Sequence, residues 1–77
     1  MTDLELKIKA IIAKTLDCDE SEIGPDTNFV DDLLADSLDL VEVIMETEHC
    51  FKISIPDNEV DDLRTFRKLV EYVKSRI

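Results

Sequence analysis

The chain has 77 residues, 44% of them hydrophobic, with one glycine and two prolines. That composition suits one small folded domain over residues 1–77 and leaves no room for an enzyme's cleft and lid. Nineteen acidic residues against nine basic give a net charge of −10, which argues against nucleic acid and anionic membranes as partners, both of which need a basic footprint, and points to partners with basic patches.

Helix one is expected from about Asp3 to Leu16: Thr2 and Glu5 have capping-box spacing, and Leu4, Ile8, Ile11, Ile12 and Leu16 fall on one helical face. The following DCDESEIGPDTN is a turn-forming stretch, longer than most connections between bundle helices, with Ile23 and Phe29 placed to pin it to a core. Helix two begins at Asp36 or Ser37 and runs to about Cys50. In ISIPDNEVDDL, a short extended piece leads into a proline suited to a first helical turn and about six helical residues. Thr65 has the character of an N-cap for a last helix whose Phe66, Leu69, Val70, Val73 and Ile77 repeat at helical spacing. FKISI alternates like a strand but has no second strand to pair with. The expected fold is all-α, a small four-helix bundle of three longer helices and one short one, with a long loop between the first two.

A helical wheel of residues 36–51 places Leu40, Ile44 and Phe51 toward the core with Val41 beside them. Asp39, Glu42 and Glu46 form an acidic stripe on the far side, without basic neighbours to offset the repulsion. Leu38 and Met45 fall at its border, where a purely solvating face would carry polar residues. Adaptable apolar groups beside a charged stripe suit transient docking against basic surfaces.

Ser37 lies between two aspartates at the start of this helix. A hydrolytic triad is excluded, since His49, the one histidine, lies twelve residues down the same helix, about 18 Å along its axis. Asp17, Asp19 and Ser21 have the spacing of the first calcium-loop ligands, but Glu22 replaces the required glycine and Asn28 the closing glutamate. A zinc site needs four close ligands, which Cys18, Cys50 and His49 do not supply. No metal is expected. No apolar run approaches the roughly 18 residues of a membrane span, and MTDLELKIKA lacks a signal peptide's apolar segment. The expectation is a cytoplasmic chain with reduced cysteines and no membrane insertion. What remains for Ser37 is to help start a helix, with Asp36 as N-cap, or to carry a covalent phosphate that the helix dipole favours.

DLLADSLDLVEVIMETEHCFKISIPD resembles the Asp-Ser-Leu segment of acyl carrier proteins, and the likeness runs from the first helix to IPDNEVDDLRTF. The resemblance implies that Ser37 is esterified by 4'-phosphopantetheine, taken from coenzyme A by a phosphopantetheinyl transferase. Acyl chains would ride on the arm's thiol as thioesters and be presented to a ketosynthase and other synthase enzymes with basic docking patches. It implies a monomer without catalytic residues of its own. Docking would fall on Asp36, Leu38, Asp39, Glu42, Met45, Glu46 and Glu48, with Ile55, Asp57 and Asp61 as a second patch. The cargo is expected in an apolar pocket lined by Val41, Ile44, Phe51, Ile55 and Leu63. One departure is Leu34, where the family usually has glycine; leucine lacks glycine's backbone freedom, so the approach to Ser37 is expected to differ in shape. His49 and Cys50 make the far end of the docking helix less charged than is usual. Fatty acid synthesis is the expected pathway, with polyketide and specialised lipid carriers close to it. The rival reading is an unmodified acidic helical adaptor that docks a basic partner.

Overall fold

A computed structural model describes residues 2–77. Its elements are α1 (Asp3–Leu16), a 3₁₀ turn (Glu20–Glu22), α2 (Ser37–Phe51), a short 3₁₀ helix (Asp57–Asp62) and α3 (Phe66–Arg76). The all-α bundle of three longer helices and one short one is therefore the fold, and no strand occurs among the described residues. The short helix takes the tighter 3₁₀ form, closing with Glu59 N–H on the Pro56 carbonyl and Leu63 N–H on that of Val60. Six residues are too few to recover the cost of nucleating an α-helix. The three-residue turn inside the long loop was not expected from its composition.

Each long helix starts where a side chain accepts one of the free first-turn N–H groups. Thr2 accepts from Glu5, Asp36 from Asp39 and Thr65 from Lys68. The ends are less orthodox: α1 and α2 stop on Asp17 (φ 53°) and Lys52 (φ 56°), left-handed residues whose N–H groups donate to the Ala13 and Glu48 carbonyls. Glycine usually fills such positions. Here the only glycine, Gly24, has no positive φ.

One apolar cluster joins Ile8 and Ile12 of α1, Leu40, Val43 and Ile44 of α2, and Phe66, Leu69, Val70 and Val73 of α3. Ile23 and Phe29 plug the loop into it, at 2% and 0% exposure. Backbone bonds then tie the loop to the start of α3: Phe29 N–H donates to the Arg64 carbonyl at 2.7 Å, Arg67 N–H to that of Pro25 at 2.9 Å, and Phe66 N–H to that of Thr27 at 3.2 Å. An isolated antiparallel bridge between Asn28 and Thr65 lies among them. At the far end of the loop, Ala35 N–H donates to the Phe29 carbonyl at 2.9 Å, so the residues just before Ser37 are held by a buried anchor.

One residue of the α3 repeat falls outside the core, and one expected core position on α2 is corrected. Ile77 is 68% exposed, because α3 ends at Arg76 and its last turn runs past the edge of the core. Val41 is 46% exposed, while Val43 and Thr47 are fully buried. The inward direction of α2 is thus rotated toward Val43 and Thr47, and Val41, 100° round from Leu40, falls outside it. Thr47 tolerates burial because its hydroxyl donates to the Val43 carbonyl at 2.8 Å.

Candidate functional site

Ser37 occupies the first position of α2 and is exposed. A capping box fixes the turn beneath it. Asp36 Oδ1 accepts from the Asp39 N–H at 2.9 Å, and Asp39 Oδ2 accepts in return from the Asp36 N–H at 3.2 Å. Leu40 N–H donates to the Asp36 carbonyl. The N–H groups of Ser37 and Leu38 have no acceptor among the described residues, and neither has the Ser37 hydroxyl. The serine stands free on a rigid helix start, beside two unsatisfied donors and at the positive end of the helix dipole.

Below it, α2 presents its outer face. Leu38 is 73%, Met45 60% and Val41 46% exposed. Glu42 and Glu46 are exposed beside them, and Asp39 is half-buried by its capping role. The ion pairs among the described residues join Arg64 to Asp61, Arg67 to Asp26 and Arg76 to Glu59. None involves a carboxylate of α2; Lys14 of α1 lines a separate groove with Glu42 and Glu46 without forming an ion pair with either. Asp57 and Asp61 are exposed on the short 3₁₀ helix, Asp61 in its pair with Arg64 at 3.0 Å.

Two residues expected on the docking surface behave differently. Ile55 is only 5% exposed, because the extended piece alternates, turning Ser54 outward and Ile55 into the core. Glu48 is half-buried, and its Oε2 accepts from the Ile55 N–H at 2.8 Å. That carboxylate secures the extended segment against α2.

A groove of 630 Å³ opens beside Ser37, with apolar walls from Val30, Ala35, Leu40, Val41 and Val60 and with Asp57, Asp61 and Arg64 around them. Its volume suits a small-molecule ligand, for which roughly 300–1,000 Å³ is usual. Of the five residues expected to line a cargo pocket, only Val41 borders this groove. Ile44, Ile55 and Leu63 lie in the closed core, and Phe51 packs half-buried against it. Val30 and Val60, which do line it, were passed over because each sits in a short irregular segment with no periodicity to mark a face.

His49 and Cys50 are exposed near the far end of α2, and Cys18 is half-buried. Burial, then the neighbouring Glu22, Asp19 and Asp17 carboxylates, push the Cys18 thiol above its ordinary pKa. Glu22 closes the region where a calcium loop was considered, its Oε2 accepting from the Asp19 N–H at 3.0 Å.

A family model described as the phosphopantetheine attachment site matches residues 6–73, taking in the long loop, α2 and the groove. The chain is 51% identical over 67 residues to an acyl carrier protein of Rubrobacter xylanophilus, an alignment that covers 87% of this chain and 83% of that protein. The group such a protein bears is 4'-phosphopantetheine, and its work is carriage rather than catalysis. By the extent of both matches, the chain belongs to the acyl carrier proteins.

Proposed function

We propose that Ser37 is the attachment point of the 4'-phosphopantetheine arm, and that the chain carries acyl intermediates among the separate enzymes of a cytoplasmic fatty acid synthase. The observation that carries this reading is the state of Ser37: an exposed hydroxyl without a partner, on a doubly capped helix start. These residues fit the group. On transfer from coenzyme A, an O–P bond forms at Ser37 Oγ as the pyrophosphate P–O bond breaks; adenosine 3',5'-bisphosphate leaves, and the hydroxyl proton passes to a base on the transferase. The free N–H groups of Ser37 and Leu38 lie where the new phosphodiester's charge would sit.

The arm supplies the thiol, and thioester chemistry takes place in partner active sites. This chain's residues anchor, address and shelter. Asp36, Asp39, Glu42 and Glu46, with Leu38 and Met45 among them, form the address read by the transferase, a ketosynthase and other synthase enzymes. Their basic docking patches would meet an acidic surface whose carboxylates on α2 form no ion pair among the described residues, giving fast, salt-sensitive encounters that also dissociate quickly. Asp57 and Asp61 extend the same sign of charge across the groove. The groove itself is the first shelter for the acyl chain, and deeper insertion would part Leu40 from the closed core behind it.

The test is to incubate the purified chain with coenzyme A, Mg²⁺ and a broad-specificity phosphopantetheinyl transferase and weigh it intact. The reading requires the mass of one arm, absent from Ser37→Ala. No added mass, or an addition that survives that substitution, would favour an unmodified acidic adaptor.

A further inference from the structure

Leu34 is the most exposed large apolar residue among those described, at 84%, and its backbone is left-handed, with φ 58°. Each feature is unfavourable in the free protein. The left-handed conformation crowds a leucine Cβ against the following carbonyl oxygen, which glycine escapes. The exposed side chain has no core contact to offset that strain. The conformation is imposed from both sides: Leu33 N–H donates to the Asn28 carbonyl at 3.3 Å and Ala35 N–H to that of Phe29 at 2.9 Å. The loop therefore holds one leucine outward on a rigid mount. Three residues later comes Ser37, at most about 11 Å along the chain, and then Leu38, 73% exposed. Asp36 lies between the two leucines in the chain and Glu42 follows Leu38 one helical turn on, neither in an ion pair among the described residues.

Resting on the reading of Ser37 as the attachment point, we infer that Leu34 is a recognition residue for the phosphopantetheinyl transferase, seated with Leu38 in an apolar recess bordered by basic side chains. An enzyme that brings a phosphorus atom to bonding distance of Ser37 Oγ must cover the surface immediately around it. Leu34 projects from that surface, and burying it on docking recovers apolar area that the free fold leaves in water. The acidic groups fix the sign of the partner's surrounding charge, while the leucines define an uncharged centre, the usual anatomy of a docking hot spot.

Steady-state modification by the transferase, with coenzyme A in excess and intact mass as readout, separates this role from a structural one. Leu34→Gly and Leu34→Asn both suit a left-handed backbone but lack the apolar tip; each should raise KM about tenfold with kcat unchanged. Their melting temperatures should equal or exceed that of the parent. Leu34→Met, which keeps an apolar tip, should stay within about twofold of the parent. Glycine and asparagine variants modified as efficiently as the parent would overturn the inference. So would a loss of melting temperature in step with the KM change, or a methionine variant as impaired as the other two. A parent chain that is never modified would instead overturn the attachment reading itself.

Discussion

Asp36 holds two roles that can be separated by chemistry. Its Oδ1 accepts the Asp39 N–H at 2.9 Å and so caps α2 directly before the serine, and its charge is part of the docking surface proposed above. Replacing Asp36 with alanine leaves the Asp39 N–H without its cap; loss of such a cap costs about 1 kcal/mol, within a range of roughly 0.5–2. For a domain of this size, about 1 kcal/mol corresponds to roughly 4–8 °C of melting temperature. Asparagine keeps a side-chain oxygen in the capping position and caps about as well as aspartate, so Asp36→Asn should lose only the charge–dipole contribution of about 0.3–1 kcal/mol at low salt, and less at high salt. The assays are thermal unfolding at low and high ionic strength and steady-state modification of Ser37. Asp36→Ala should melt below Asp36→Asn at every salt concentration, whereas both should weaken docking alike at low salt, since both remove the same charge. Equal melting temperatures for the two variants would refute the capping role; undiminished docking by Asp36→Asn would remove Asp36 from the address.

Glu48→Ala strips the acceptor from the part-buried Ile55 N–H and should cost about 1–3 kcal/mol in thermal unfolding, while Glu48→Gln keeps an acceptor and should be spared; in docking assays Glu48→Gln should matter less than Glu42→Gln. Tyr72 donates to Glu59 Oε2 at 2.8 Å, tying the short 3₁₀ helix to α3, so Tyr72→Phe should lower the melting temperature and speed amide exchange in residues 57–62. Burial first, then the Glu59 carboxylate, raise the Tyr72 phenol above its ordinary pKa; this stabilisation is complete below the unfolded phenol's pKa and is lost as pH rises through the folded one. Tyr72→Phe should therefore remove that alkaline loss. Added salt should raise the melting temperature steadily, because at 10 mM the screening length of about 30 Å spans the molecule's 27 Å extent, letting nearly all of the net charge of −10 repel itself.

The helix starts were legible because each carries a local chemical signal: Thr2, Asp36 and Thr65 supply oxygens to N–H groups three residues ahead. The helix ends were harder. Asp17 and Lys52 adopt the left-handed turn that glycine normally announces, so nothing in their identity marks the stop. For the loop, the two buried anchors Ile23 and Phe29 could be picked out as large apolar residues in a polar stretch. The backbone bonds from Pro25, Thr27 and Phe29 to the region around Thr65 could not, since amide pairing between distant segments leaves no trace in side-chain pattern. On α2, the wheel separated the acidic stripe from the core, yet it set the inward direction beside Val41, whereas the fully buried Val43 and Thr47 lie on the other side of Leu40. A threonine hydroxyl that bonds back to the helix carbonyl four residues earlier is nearly apolar to its surroundings. The open groove lies on the Val41 side, while Ile44, Ile55 and Leu63 are in the closed core.

The features that weaken the free chain coincide with those assigned to its work. Like-charged carboxylates on α2, in no ion pair among the described residues, oppose folding, Leu38 and Met45 leave apolar area in water, and Leu34 adds backbone strain beside Ser37. A chain selected for stability alone would pair the first, cover the second and place glycine at the third. On the docking proposed above, a basic, partly apolar surface over α2 would neutralise the charges and bury the leucines. Covering that face would stabilise the chain by mass action, because penalties carried by the free chain and relieved on docking add to the affinity. Docking affinity and the penalties of the free fold then reside in the same residues, and substitutions that relieve the penalties should weaken docking.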